Sequence, residues 1–151
     1  MHILQFVILF LLAMIAGGWM ATTVVFARGY LRMSPAAYIE AEQTNSAIAC
    51  KYFAPSIVLS VVLSVIYLLI ARPHSHMVFT LTAISAGLLA ITAVFVKAKV
   101  LPINDEIHSW SPQQPPAHWA AVRKQWVRYH NLRTVFGLVA FSLQAIAIIW
   151  R

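Results

Sequence analysis

Four apolar stretches without a single Asp, Glu, Lys or Arg decide what this chain can fold into: Ile3–Ala27, Ala54–Ala71, Met77–Val96 and Thr134–Trp150. A backbone placed in lipid has only itself to hydrogen-bond to, so runs of this kind fold as helices. The expectation is an all-α fold. It is a four-helix transmembrane bundle forming one integral membrane domain over residues 1–151, with a helical first loop and a fourth helix extended beyond the membrane. Charged residues make up 10% of the chain, against about 25% in a soluble domain. The first stretch lacks a basic start, and its apolar run exceeds the ~7–15 residues of a cleavable leader. It therefore reads as a retained span. The net charge of +7 is not a nucleic-acid signature. The basic residues flank apolar spans, where they anchor the chain. The expected partner is membrane lipid, with a second copy of the chain as a further candidate and no nucleic acid. Cys50 is the lone cysteine, so no intrachain disulfide can form.

Between the spans the pattern changes. Ser34-Pro35 reads as a helix start, with the serine as cap and the proline in the first turn. The run that follows places Tyr38, Glu42, Asn45 and Ala49 on one face. The plain reading is an amphipathic connector with solvated acids; the functional one turns Glu42, Gln43 or Asn45 toward a pocket mouth. The second span is entered through Pro55. Ser56, Ser60 and Ser64 form a polar seam along it, expected to act as glue between helices. Gly17 and Gly18 form a small-residue face on the first span, expected to admit a neighbour closely. His74 and His76 lie in a short turn without a carboxylate or cysteine to complete a metal site.

The stretch from Pro102 to Arg133 is the densest in chemistry, with three of the six histidines, two of the four acids and three of the five tryptophans. Trp119, Arg123, Trp126, His130 and Arg133 recur at helical steps, which puts them on one stripe. A solvated helix has no need of two tryptophans there, so the stripe is expected to close one end of a membrane-embedded pocket. No His-x-x-x-His or Glu-x-x-His spacing points to a metal, and no Ser or Cys stands out as a nucleophile. A general base with a cation fits better. His130 would accept a proton near neutral pH, Arg133 would stabilise an anion, and Trp126 would offer a flat wall to an aromatic ligand. Against this stands an ordinary interfacial belt of Trp, Arg and His meeting headgroups.

These parts resemble the anthrone-oxygenase-like family of small four-span membrane proteins. The resemblance rests on Pro102-Ile103-Asn104 closing the third span, followed by Trp119, Arg123, Trp126, His130 and Arg133 leading into the fourth. Pro35 and Gln43 in the first loop add to it. It implies Asn104, His130 and Arg133 as its polar positions, which are the expected catalytic residues; the stripe and the first-loop face add Trp126, Arg123, Trp119, Glu42 and Asn45 as the residues expected around the substrate. It implies oxygenation of a lipophilic aromatic small molecule without a cofactor or metal. The alternative from another class is a non-catalytic membrane protein that binds a lipid, a lipophilic ligand or a partner subunit.

The first and third loops carry nine Lys and Arg residues, while the second loop and the C-terminus carry Arg72 and Arg151. The bias places both large loops in the cytoplasm and both termini outside. A reporter active only in the cytoplasm, fused after Arg151, should be silent; a strong signal would reverse the orientation.

Overall fold

The computed structural model describes residues 2–71 and 76–150. Arg72, His74 and Arg151, used above for the turn and the charge bias, lie outside them. Four helices among the described residues are long and apolar enough to cross a membrane: His2–Tyr30, Pro35–Ile70, His76–His108 and Trp119–Ile149. The chain is a multi-pass integral membrane protein with an all-α fold.

The first helix runs as α1 (His2–Ala21), a wide π turn (Thr22–Phe26) and α2 (Ala27–Tyr30). α3 (Pro35–Ala71) forms the second, and the third runs as α4 (His76–Phe95), a second wide turn (Val96–Val100) and α5 (Leu101–His108). α6 (Trp119–Ile149) is the fourth. α6 packs on α1 and α4, and so does α3. α3 and α6 therefore face each other across the bundle. At ~1.5 Å per residue the 31 residues of α6 reach roughly 46 Å, beyond a ~30 Å hydrocarbon core. The fourth helix thus extends out of the membrane, as the sequence implies.

The two prolines at span ends do not end helices. Pro55 sits inside α3, which runs unbroken for 37 residues, so the helical first loop and the second span are one element. The third helix likewise continues past Pro102 to His108. A proline in a regular helix crowds the carbonyl four residues back and cannot bond to it. Here the turn before it is widened, and the Leu101 N–H reaches the Val96 carbonyl, five back. Such a turn lets the helix pass the proline without breaking. Ser34 does cap α3: its Oγ accepts from the Ala37 N–H at 3.4 Å.

The serine seam is not interhelical glue. The hydroxyls of Ser56, Ser60 and Ser64 each donate to the carbonyl four residues back in α3. Cross-helix bonds come from elsewhere. Ser85 Oγ donates to the Ala140 carbonyl at 2.7 Å, joining α4 to α6. Thr134 Oγ1 lies 3.0 Å from the Trp19 carbonyl and 2.9 Å from Thr23 Oγ1, joining α6 to the first helix. Gln5 Nε2 donates to the Tyr67 hydroxyl at 2.6 Å near the other end.

Small residues matter at two contacts. A Cβ on Gly18 would meet the tip of the Phe53 ring, whereas nothing lies within 4 Å of one on Gly17. Only Gly18 therefore serves the close approach expected of the pair, and what it admits is a ring. A Cβ on Gly137 would lie 2.6 Å from Trp19 Cε3. Trp19 is fully buried, so it has no room to withdraw. Gly137→Val should cost about 1–3 kcal/mol by overpacking and lower the thermal midpoint of the detergent-extracted protein. Gly17→Ala is the control and should leave the midpoint unchanged or raise it. Equal midpoints for Gly137→Val and the unmodified chain would show that the Trp19 contact is not tight.

Candidate functional site

α3, α5 and α6 meet at Trp126. Its indole N–H points at two acceptors at once, Glu42 Oε1 at 2.9 Å and Asn104 Oδ1 at 3.1 Å. Glu42 is 1% exposed and Asn104 7%. The three residues lie on three helices and are far apart in sequence. An apolar stripe beginning with Tyr38 and Ile39, both fully buried, turns the start of α3 inward and carries Glu42 with it. Pro102 and the wide turn before it orient α5 so that Ile103, Asn104 and Ile107 are buried while Asp105 is not. The helical stripe of α6 brings Trp126 to meet both.

The expected stripe forms, but its members do different work. Trp119 and Arg123 stand at its outer end. Arg123 Nη1 donates to the Tyr30 carbonyl at 2.7 Å and the Met33 carbonyl at 3.1 Å, at the C-terminal end of α2. A cation is favoured there by the helix dipole. Its guanidinium carbon also lies 4.5 Å from the centre of the Trp119 ring, a cation–π distance. Neither residue lines the cavities described below. His130 is 3% exposed and stacks on the Trp126 ring, with centroids 3.6 Å apart and planes 20° apart. Its Nδ1 lies 2.9 Å from the Trp126 carbonyl, so the proton of the neutral ring belongs on Nδ1. His130 lies behind the indole and is absent from the lining of either cavity.

Two cavities lie along α3, and both reach Arg133 of α6. One, about 420 Å³, is lined by Gly18, Thr22, Tyr30, Glu42, Tyr52 and Arg133, among others. It opens between the first helix and α3, where Phe26, Ile48 and Tyr52 are exposed on the apolar flank. The other, about 390 Å³, lies between α3 and the third helix and is lined by Trp19, Cys50, Ile57, Val96, Asn104 and Arg133, among others. Ser46, Ala49, Phe53 and Arg133 belong to both walls. Arg133 therefore stands where the two cavities meet. Its Nε is buried without an acceptor among the described residues, and its guanidinium carbon lies 5.3 Å from the centre of the Trp19 ring. Asn45 lines the first cavity and donates to the Tyr30 hydroxyl at 2.9 Å. A third cavity, about 440 Å³, lies at the far end of the bundle among His2, Gln5, Phe6, Leu9, Ile148 and Ile149, and shares no residue with the other two.

Glu42 is thus not the solvated acid of an amphipathic connector; Glu40, two residues before it, is exposed and fits that description. Gln43 does not face a pocket. Its Nε2 donates to the carbonyls of Ile107 at 3.1 Å and Trp110 at 2.9 Å, closing the end of α5. Sequence reasoning missed Tyr30, Ser46 and Phe53. Ser46 had one available signal, its position one helical turn beyond Glu42. Among the described residues, no group of three or more His, Cys, Asp or Glu side chains is arranged to hold a metal ion.

An arrangement of a buried carboxylate, a cation and an amide around apolar space can take a proton from a lipophilic molecule and hold the anion that results. Comparison with known proteins bears on which molecule. No curated protein and no solved structure matches the chain. The model of the family described as anthrone oxygenase matches residues 44–143, which include Ser46, Asn104, Trp126, His130 and Arg133. With more than half of its length matched, this chain belongs to the anthrone oxygenase family.

Proposed function

We propose that this protein oxygenates a flat, lipophilic aromatic ketone of the anthrone type inside the membrane, using molecular oxygen and no cofactor. The observation that carries this reading is the pair of apolar cavities joined at Arg133, with Glu42 on one wall and Asn104 on the other. In this reading the Glu42 carboxylate removes an acidic C–H proton, because it is the base that lines the cavity. Arg133 and Asn104 hold the enolate oxygen. The carbanion adds oxygen, which is reduced by two electrons to a bound peroxide. The peroxide takes a proton back and loses water as the second C–H proton leaves, giving the second ring carbonyl. One anthrone and one oxygen molecule yield one quinone and one water. His130, in this reading, positions Trp126 by stacking on it, and Trp126 in turn holds Glu42 and Asn104. Trp119 and Arg123 close the end of the bundle above the site. The large loops face the cytoplasm.

The test is oxygen uptake and quinone absorbance with a panel of anthrones, using purified protein in detergent. General-base catalysis is worth about 10²–10⁴-fold, and removal of one oxyanion contact costs roughly 10²–10³-fold. Glu42→Gln and Arg133→Gln should each lose about a hundredfold or more while extracting as a folded bundle. A larger loss in His130→Gln than in Glu42→Gln would return the role of base to His130. Absence of turnover in the unmodified protein across the panel would leave the protein as a binder of lipid or of a lipophilic ligand.

A further inference from the structure

Ser46 lies one turn after Glu42 on α3 and is 7% exposed. Its Oγ sits 2.7 Å from the Glu42 backbone carbonyl, which alone would satisfy a buried hydroxyl. It makes a second contact, 2.6 Å to Nε2 of His108. The Glu42 side chain, one turn back, lines the first cavity beside it. Ser46 also lines both cavities.

His108 is exposed, in the last turn of α5. A histidine at such a position can meet its needs in water. Here one ring nitrogen is turned inward onto a buried serine instead. Its backbone is held there as well: Gln43, on the neighbouring turn of α3, donates to the carbonyls on either side, those of Ile107 and Trp110, and lies 3.4 Å from that of His108 itself. Three side chains thus run in series from the cavity wall to the aqueous end of the bundle. Ser46 and His108 are within hydrogen-bonding distance, and Glu42 stands one helical turn from Ser46 on the wall of the first cavity.

We infer that Glu42, Ser46 and His108 form a proton relay that joins the cavity to water. The inference rests on the reading of Glu42 as the base. In the relay, Glu42 takes the substrate proton and passes it to Ser46 Oγ, as the Ser46 hydroxyl proton moves to His108 Nε2. The imidazolium then releases its Nδ1 proton to water. One proton enters, one leaves, and no electron moves. Reversal of the same steps supplies a proton from water to the cavity. Glu42 touches the substrate; Ser46 and His108 act through it. A buried base without this path would return to the substrate the same proton that it removed. With the path, the base exchanges with solvent between removal and return.

This difference is measurable without oxygen. In deuterium oxide under anaerobic conditions, the unmodified protein should speed deuterium incorporation at the acidic carbon of anthrone well above the protein-free rate. Since general acid–base assistance is worth about 10²–10⁴-fold, Ser46→Ala and His108→Ala should each slow that exchange on the order of tenfold or more. Ser46→Thr, which keeps the hydroxyl, should restore it. Added imidazole should restore it in His108→Ala, because the site is open to water, but not in Ser46→Ala. A purely structural role for either residue would not respond to imidazole or to the retained hydroxyl. If the unmodified protein exchanges and oxygenates while both alanine variants match it, the relay is wrong and the reading of Glu42 survives. If the unmodified protein does neither, that reading fails and takes the relay with it.

Discussion

One indole N–H governs the arrangement of this bundle's working end. Trp126 offers a single proton to two buried acceptors on two other helices, Glu42 and Asn104. A carboxylate removed from water is among the most costly groups a fold can carry unless it is hydrogen-bonded or paired. Glu42 therefore does not tolerate a bundle in which Trp126 points elsewhere. The demand sets the rotation of α6 about its axis, and with it the direction of Arg133, two turns further on. It also holds α5 at the distance at which Asn104 can share the proton. His130 stacks on the other side of the ring and is itself bonded to the Trp126 carbonyl. The indole is thus held on both faces of its environment and has little freedom to release its acceptors.

The rest of the fold makes that meeting possible through two departures from regular helix. Both wide turns occur just where a spanning helix passes into its outer part, at Thr22–Phe26 and Val96–Val100. Each shifts the register of the residues beyond it relative to those within. On the third helix the shift accommodates Pro102 and leaves Asn104 facing inward. On the first, Thr22 and Phe26 come to line a cavity, while Thr22 Oγ1 bonds back to the Gly18 carbonyl at 2.9 Å. Back-bonding of this kind bends helices. Large side chains on small ones hold the spans beneath: Trp19 lies against Gly137, and the Phe53 ring against Gly18. Phe53 belongs to both cavity walls, so the contact that packs α1 on α3 also shapes both cavities.

The class of fold was open to reading because it depends on one property, the absence of charge over long runs, and lipid enforces that property residue by residue. The stripe on α6 was open for a similar reason: Trp126 and His130 repeat with the helix and need no knowledge of any other element. What stayed hidden depends on partners distant in the chain. The face shared with Tyr38 and Asn45 made Glu42 a candidate, but Trp126 is 84 residues away, and no local pattern shows that the two meet. Pro55 and Pro102 misled because a proline's cost is local while tertiary packing of a long helix is not. The serine seam misled in the opposite direction. Its hydroxyls had partners available within α3, four residues back, so no neighbouring helix was required. His130 shows the limit most clearly. Periodicity puts it on one face with Trp126, but only the folded structure shows that its ring stacks on the indole and lines neither cavity.

The placement of charge within the cavity walls has a further physical consequence for the proposed reaction. A lone cation at membrane depth is costly unless something balances it, and Arg133 shares the wall of the first cavity with Glu42. In the proposed reading the two form a charge-balanced pair before the substrate proton is taken. When Glu42 accepts a proton it loses its charge, and the same charge reappears on the enolate oxygen of the substrate. Arg133 then faces the enolate in place of the carboxylate. The number of charged groups in the cavity does not change as the proton moves. In surroundings of low dielectric constant this matters more than the strength of either group alone, because creating new charge there is what costs most. A neutral base such as His130 would end as a cation while the substrate ends as an anion, so two new charges would be created in apolar surroundings. The geometry that puts the carboxylate on the cavity and the imidazole behind the indole is therefore also the arrangement that electrostatics favours for taking a proton from an apolar molecule.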